Sequence, residues 1–283
     1  MQIIKKIRDW SYQHAILAAF IAFVVIDVIW FSLEALLSLL PATLPVRYLC
    51  EIITILVPVA IVFFFGFSST FKKGKFFKGL LYALPFIVFQ VILMTVLLSE
   101  NFSNPETRWK STEIIIFEIF CIIGVGIREE CIYRATIQNI VAKKHANSVK
   151  GIWITVIVSS IIFGLCHVTN IFFGVKPLAV LSQVISATCL GSLLSAVYLR
   201  SGSIWALIFI HTLTDLAGYS GTRFLANGSN VGTINTLSFS VSSLIFNLLF
   251  IGLAIFLLRP SKCNQVYENL CFADEKPDLS IDA

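Results

Sequence analysis

Apolar residues fall in long blocks separated by short polar or basic runs. Eight blocks are long enough to cross a hydrocarbon layer of about 30 Å as helices: roughly 15–40, 48–67, 79–98, 113–138, 151–170, 177–199, 203–219 and 236–258. The pattern predicts an all-α, polytopic membrane bundle of about eight transmembrane helices over residues 1–260. A polar tail, 261–283, carries Glu268, Asp274, Glu275, Asp278 and Asp282 and is expected to be a disordered cytoplasmic extension. The first block follows Lys5, Lys6 and Arg8 but is too long, and lacks the small-residue cleavage site, of a secretory signal, so it reads as a retained span. No internal repeat is evident, which argues against transporter folds built from duplicated halves.

Composition agrees: 57% of the 283 residues are hydrophobic and 13% charged, and mean hydropathy is +0.88. The net charge of +5 reads as a topology signal. With the N-terminus inside, one side collects Lys5, Lys6, Arg8, Lys72, Lys73, Lys75, Lys78, Lys143, Lys144, Lys150, Arg200, Arg259, Lys262 and Lys276. The other receives Arg47, Arg108, Lys110, Lys176 and Arg223. By the positive-inside rule both termini are cytoplasmic, and the partner surface is a lipid bilayer; no nucleic acid is expected, because the bases sit in short loops beside the membrane. The loop 68–78 suits a cytoplasmic interfacial segment. Asn101-Phe-Ser and Asn227-Gly-Ser match the glycan acceptor pattern on the outer side. Seven scattered cysteines without a C-x-x-C pair suggest neither a disulfide framework nor a zinc–thiolate site.

The charges inside the fourth block change the picture. Arg128, Glu129, Glu130 and Arg134 follow the apolar stretch Ile114–Ile127, and at mid-bilayer they would together cost roughly 10 to 14 kcal/mol. This helix cannot simply face lipid; its acidic face must line protein or water, where carboxylates are functional candidates. Glu130 and Arg134, four apart, share a face and can pair, either as part of a site or as a brace between helices. Glu129 lies about 100° around the axis and is the freer carboxylate. Glu118 falls on nearly the same stripe as Glu129. The fifth block ends Phe163-Gly-Leu-Cys-His167, and the seventh holds His211-Thr-Leu-Thr-Asp215, in which Asp215 can orient the imidazole. Either histidine alone reads as a packing residue. Two of them beside a free glutamate can perform acid–base chemistry on a water, with one imidazole donating to the oxyanion on a scissile carbonyl. His14 and His145 lie in interfacial segments and receive no role.

The ordered motifs Glu-Glu-Cys-Ile-Tyr-Arg, Phe-Gly-Leu-Cys-His and His-Thr-Leu-Thr-Asp resemble those of the CaaX-protease and bacteriocin-processing (CPBP, or Abi) family of intramembrane glutamic endopeptidases. The resemblance covers about residues 110–220. It implies a peptidase acting on a peptide or membrane-protein substrate without a catalytic metal. It further implies that Glu129 and His167 activate the water, that Glu130 and Arg134 support them, that His211 with Asp215 stabilises the oxyanion, and that Phe163 packs at the substrate-binding site. An ionised Asp215 cannot donate, so the donor role falls to His211. Members resembling the eukaryotic enzyme have asparagine there.

Some expectations remain open. Glu129 lies about 11 residues from the inner end of its span and His167 about 17 from the start of the next, a mismatch of roughly 9 Å. Either span five starts near Trp153 or the stretch after Arg134 runs along the interface. His167, His211 and a carboxylate could hold zinc or iron, although there is no H-E-x-x-H and Arg134 argues against a cation; no cofactor is expected, with metal dependence left open. The competing classes are a non-catalytic protein of the same fold (bacteriocin immunity or signalling scaffold) and a proton-coupled transporter. The favoured setting is a bacterial cell membrane, with the site opening toward the cytoplasm and acting in processing of, or immunity to, bacteriocin or pheromone precursors. Prenylated substrates are the less favoured class.

Overall fold

The computed structural model describes residues 2–229 and 241–270, with the side chains of all but 241–244. A short helix, α1 (Gln2–Gln13), leads into α2 (Ala15–Leu37), α3 (Leu44–Phe64), α4 (Phe76–Tyr82) and α5 (Leu84–Phe102). After α6 (Thr112–Glu130) the helix widens into a π-helical stretch, Cys131–Gln138, and resumes as α7 (Asn139–His145). Next, α8 (Val149–Leu165) runs into a 3-10 stretch, Cys166–Phe173, followed by α9 (Pro177–Ser201), α10 (Ile204–Phe224), α11 (Val241–Leu257) and α12 (Cys263–Asn269). The sheet among the described residues is one antiparallel pair, β1 (Arg108–Trp109) with β2 (Leu225–Ala226).

Local chemistry sets several boundaries. Pro45, Pro85 and Pro177 sit in the first turns of α3, α5 and α9, where a missing N–H costs nothing. Ser148 and Ser203 cap α8 and α10 by accepting from the Gly151 and Ala206 N–H groups. Gly202 ends α9 in the left-handed region at φ 67°, and a Cβ there would crowd the Asn269 carbonyl.

Each of the eight predicted blocks contains a helix, but by length and apolarity five helices qualify as membrane spans, or six if the bent pair 245–257 and 260–269 counts as one. The difference from eight has a physical source. Helix α6 carries Glu113, Glu118, Arg128, Glu129 and Glu130, and α10 carries His211, Asp215 and Arg223. Except for Glu113, these groups meet protein partners or the cavity, so the two helices need not be uniformly apolar. The layering follows: α2 and α3 are each 17% buried over their apolar window, whereas α8 and α9 reach 50% and 56%. The core lies around the π stretch, with Cys131, Ala135, Ile140, Leu194, Val197 and Ile204 among its buried members.

Hydrogen bonds gather the connections at two ends of the bundle. At one, Arg8 donates to the Phe63 carbonyl (2.9 Å) and the Phe64 carbonyl, Lys144 to the Gln13 carbonyl, and the Lys75 N–H to the Ser201 carbonyl (2.9 Å). At the other, Lys110 donates to the Thr222 carbonyl (2.7 Å) and Arg223 pairs with Glu118 (2.6 Å). The basic loops that span counting assigned to one side therefore meet in space.

Three expectations change. Residues 261–270, assigned to a disordered tail, instead form a 3-10 turn and α12, because Asn269 donates to the carbonyls of Leu199 (3.4 Å) and Arg200 (2.8 Å) at the end of α9. The rest of that tail, 271–283, lies outside the described residues. Asn101 uses both ends of its buried amide on the Ser229 backbone, at 2.9 and 2.7 Å, and is not presented as a glycan acceptor. Span five starts at Val149, not Trp153, and residues 131–142 after the glutamates are buried in the core rather than laid along an interface.

Candidate active site

The two adjacent glutamates end α6 just before the π stretch, and the helix turns them to different surroundings. Glu130 is completely buried. Its Oε1 accepts from the Arg134 guanidinium at 2.8 Å and lies 2.6 Å from His211 Nδ1. Arg134 is equally buried, with its guanidinium carbon 4.2 Å from the centre of the Phe163 ring. Glu129, with 27% of its side chain exposed, faces a cavity of about 390 Å³ and stands 3.6 Å from His211 Nε2. That volume lies within the range of ligand sites.

His211 is held from both ends. Its Nδ1 meets Glu130, and its Nε2 sits between Glu129 (3.6 Å) and Asp215 (3.9 Å). The close partner at Nδ1 is therefore Glu130, not the expected Asp215, which lies beside the opposite nitrogen. His167 falls in the first turn of the 3-10 stretch, where its Nδ1 lies 2.9 Å from Cys166 Sγ, and the thiol also donates to the Phe163 carbonyl at 2.9 Å. His167, His211, Glu129 and Asp215 all line the one cavity. The anticipated depth mismatch does not separate them.

Phe163, expected to pack at the substrate-binding site, is buried behind the cavity lining. It packs edge-on against His167 (centroids 5.7 Å) and His211 (5.9 Å) and beneath Arg134, so its contacts brace both imidazoles. Glu118 pairs with Arg223 at 2.6 Å and Arg47 at 4.0 Å instead of extending the Glu129 groove. Arg128 is balanced by an ion pair to Glu51 and a contact with the Trp30 ring at 4.9 Å. Among the described residues, no three His, Cys, Asp or Glu side chains converge as a metal-ligand set.

Sequence reasoning overlooked the wall supplied by α2. Asp27, Trp30, Phe31 and Glu34 line the cavity from that side, and Asn170 and Gln183 line it from the 3-10 stretch and α9. A signal existed for the acids: Asp27 and Glu34 interrupt the first apolar block seven residues apart, which is one face of a helix. The cavity runs from Glu129 toward Phe173 and Arg223, which belong to the end opposite the basic loops. The sequence reading had it opening toward those loops.

Residues 111–217 match the family model described as type II CAAX prenyl endopeptidase Rce1-like. This stretch holds both glutamates, Arg134, Phe163, both histidines and Asp215, and it is as an Rce1-like domain, of the CPBP family, that residues 111–217 match. No curated protein and no solved structure matches the chain.

Proposed function

We propose that this integral, multi-pass membrane protein is an endopeptidase that hydrolyses a peptide bond in a membrane-associated peptide or protein. One observation carries the reading: Glu130 is committed to Arg134 and His211, while the adjacent Glu129 is left open to the cavity beside two imidazoles. Two chemically identical side chains have been given a structural and a reactive environment. Glu129, assisted by His167, takes a proton from a water that attacks the scissile carbonyl. As an imidazolium, His211 donates from Nε2 to the developing oxyanion, and Glu130 at Nδ1 holds the ring in register. On collapse the leaving amine takes its proton from Glu129. Arg134, Glu130 and Phe163 position these groups. Processing of a bacteriocin or pheromone precursor is the setting we favour over cleavage of a prenylated protein.

The deciding experiment compares membrane proteomes from cells carrying the unsubstituted chain and the Glu129→Gln variant. Substrate termini are expected only with the unsubstituted chain, with the variant equally abundant and folded in detergent. A strong chelator is expected to leave turnover nearly unchanged. Full turnover in Glu129→Gln would reject the mechanism.

A further inference from the structure

One part of the cavity is polar without belonging to the acid–base groups. Asn170, on the 3-10 stretch, and Gln183, on α9, both line it, and their side-chain amides are joined at 2.8 Å. One amide hydrogen bond uses one N–H and one oxygen. Whichever side chain is the donor, the pair keeps one carbonyl oxygen on one residue and an NH₂ group on the other, and among the described residues neither meets another protein group. An acceptor and a donor side by side are the complement of a peptide group, which offers one N–H and one C=O.

The local helix type places this pair relative to the reacting groups. Side chains three apart on a 3-10 helix eclipse one another, so Asn170 stands over His167 on one face, about 6 Å along the axis at roughly 2.0 Å per residue. An extended peptide advances about 3.3 Å per residue, so 6 Å corresponds to about two residues. An α-helix here would have turned position 170 about 60° away from 167.

We infer that Asn170 and Gln183 form a backbone-binding subsite that pairs with one peptide group of an extended substrate about two residues from the scissile bond. The inference rests on the peptidase reading for its substrate class. Such a subsite reads main chain, so it adds affinity for any extended segment and leaves side-chain selection to the rest of the cavity.

The test uses the full chain in detergent with Glu129→Gln to keep ligands intact. The probes are a panel of fluorescent, internally quenched peptides with and without S-farnesyl cysteine. Along the tightest-binding peptide, each amide is replaced in turn by an ester, which removes one N–H and leaves the protein untouched. One ester, about two residues from the bond cut by the unsubstituted chain, is expected to weaken binding about threefold to tenfold. Gln183→Leu and Asn170→Leu should each weaken the parent peptide by a similar factor and erase that ester's penalty, as coupled partners do. Equal binding of all esters, a penalty surviving both leucine variants, or binding of no peptide would overturn the subsite. Coupled loss of binding in a chain that cleaves no probe would leave the subsite standing and reject the peptidase reading alone.

Discussion

Glu129 and Glu130 are neighbours in sequence with opposite surroundings, and the difference is testable one residue at a time. Arg134 and Glu130 are both fully buried, so removing one leaves an uncompensated charge. Arg134→Leu is expected to cost about 3 to 5 kcal/mol, seen as a large drop in melting temperature in detergent. Pairing it with Glu130→Leu should restore much of the stability while leaving His211 unanchored and activity low. Unchanged melting of Arg134→Leu would show that the pair does not brace the helices. At this scale the sequence was informative about type and less so about partners. The i, i+4 spacing of Glu130 and Arg134 predicted their ion pair, and it holds. The same spacing pointed His211 to Asp215, whereas a glutamate 81 positions away takes Nδ1. Helical spacing reports only neighbours on one helix, so a partner supplied by a crossing helix leaves no such trace.

Among the elements, α6 and α10 decide whether the site exists, because they carry the glutamates and His211. They approach closely at Gly126, where a Cβ would lie 2.7 Å from Thr212 Oγ1 and 3.1 Å from the Ile208 carbonyl. Gly126→Leu should push the helices apart and lower the cleavage rate about a hundredfold, the scale of a 1 Å misplacement of catalytic groups. Gly252→Leu on α11, where nothing lies within 4 Å, should be silent in the same assay. Equal rates in both variants would remove the close crossing from the account. The apolar blocks announced these helices, but not the π stretch at 131–138 or the 3-10 stretch at 166–173. Along the π stretch every position is buried, so the apolar pattern has no face to report a change from 3.6 residues per turn. Both irregular stretches adjoin the reacting groups, as departures from α geometry often do.

For the whole molecule, the basic loops share one end and the cavity extends toward the other. With the N-terminus in the cytoplasm, access to the site would lie on the outer side. In a chain cleared of reactive cysteines, Lys176→Cys should react with an impermeant maleimide added to intact cells, and Lys73→Cys only after permeabilisation; the reverse pattern would invert the orientation. The all-helical character and the order of the long helices were legible in the apolar blocks, since lipid demands length and apolarity, whereas the count of eight spans was not, five or six qualifying. The position of the cavity was not, because it depends on how α2 leans across the site. That last relation has a practical side. The homologous stretch, 111–217, draws its polar balance from beyond its own borders: Glu51 neutralises Arg128, Trp30 covers that guanidinium, and Asp27 and Glu34 close the far wall. Excised for expression, it would leave Arg128 without its counter-ion and the cavity without one wall, so a shortened protein meant for activity assays should keep α2 and α3.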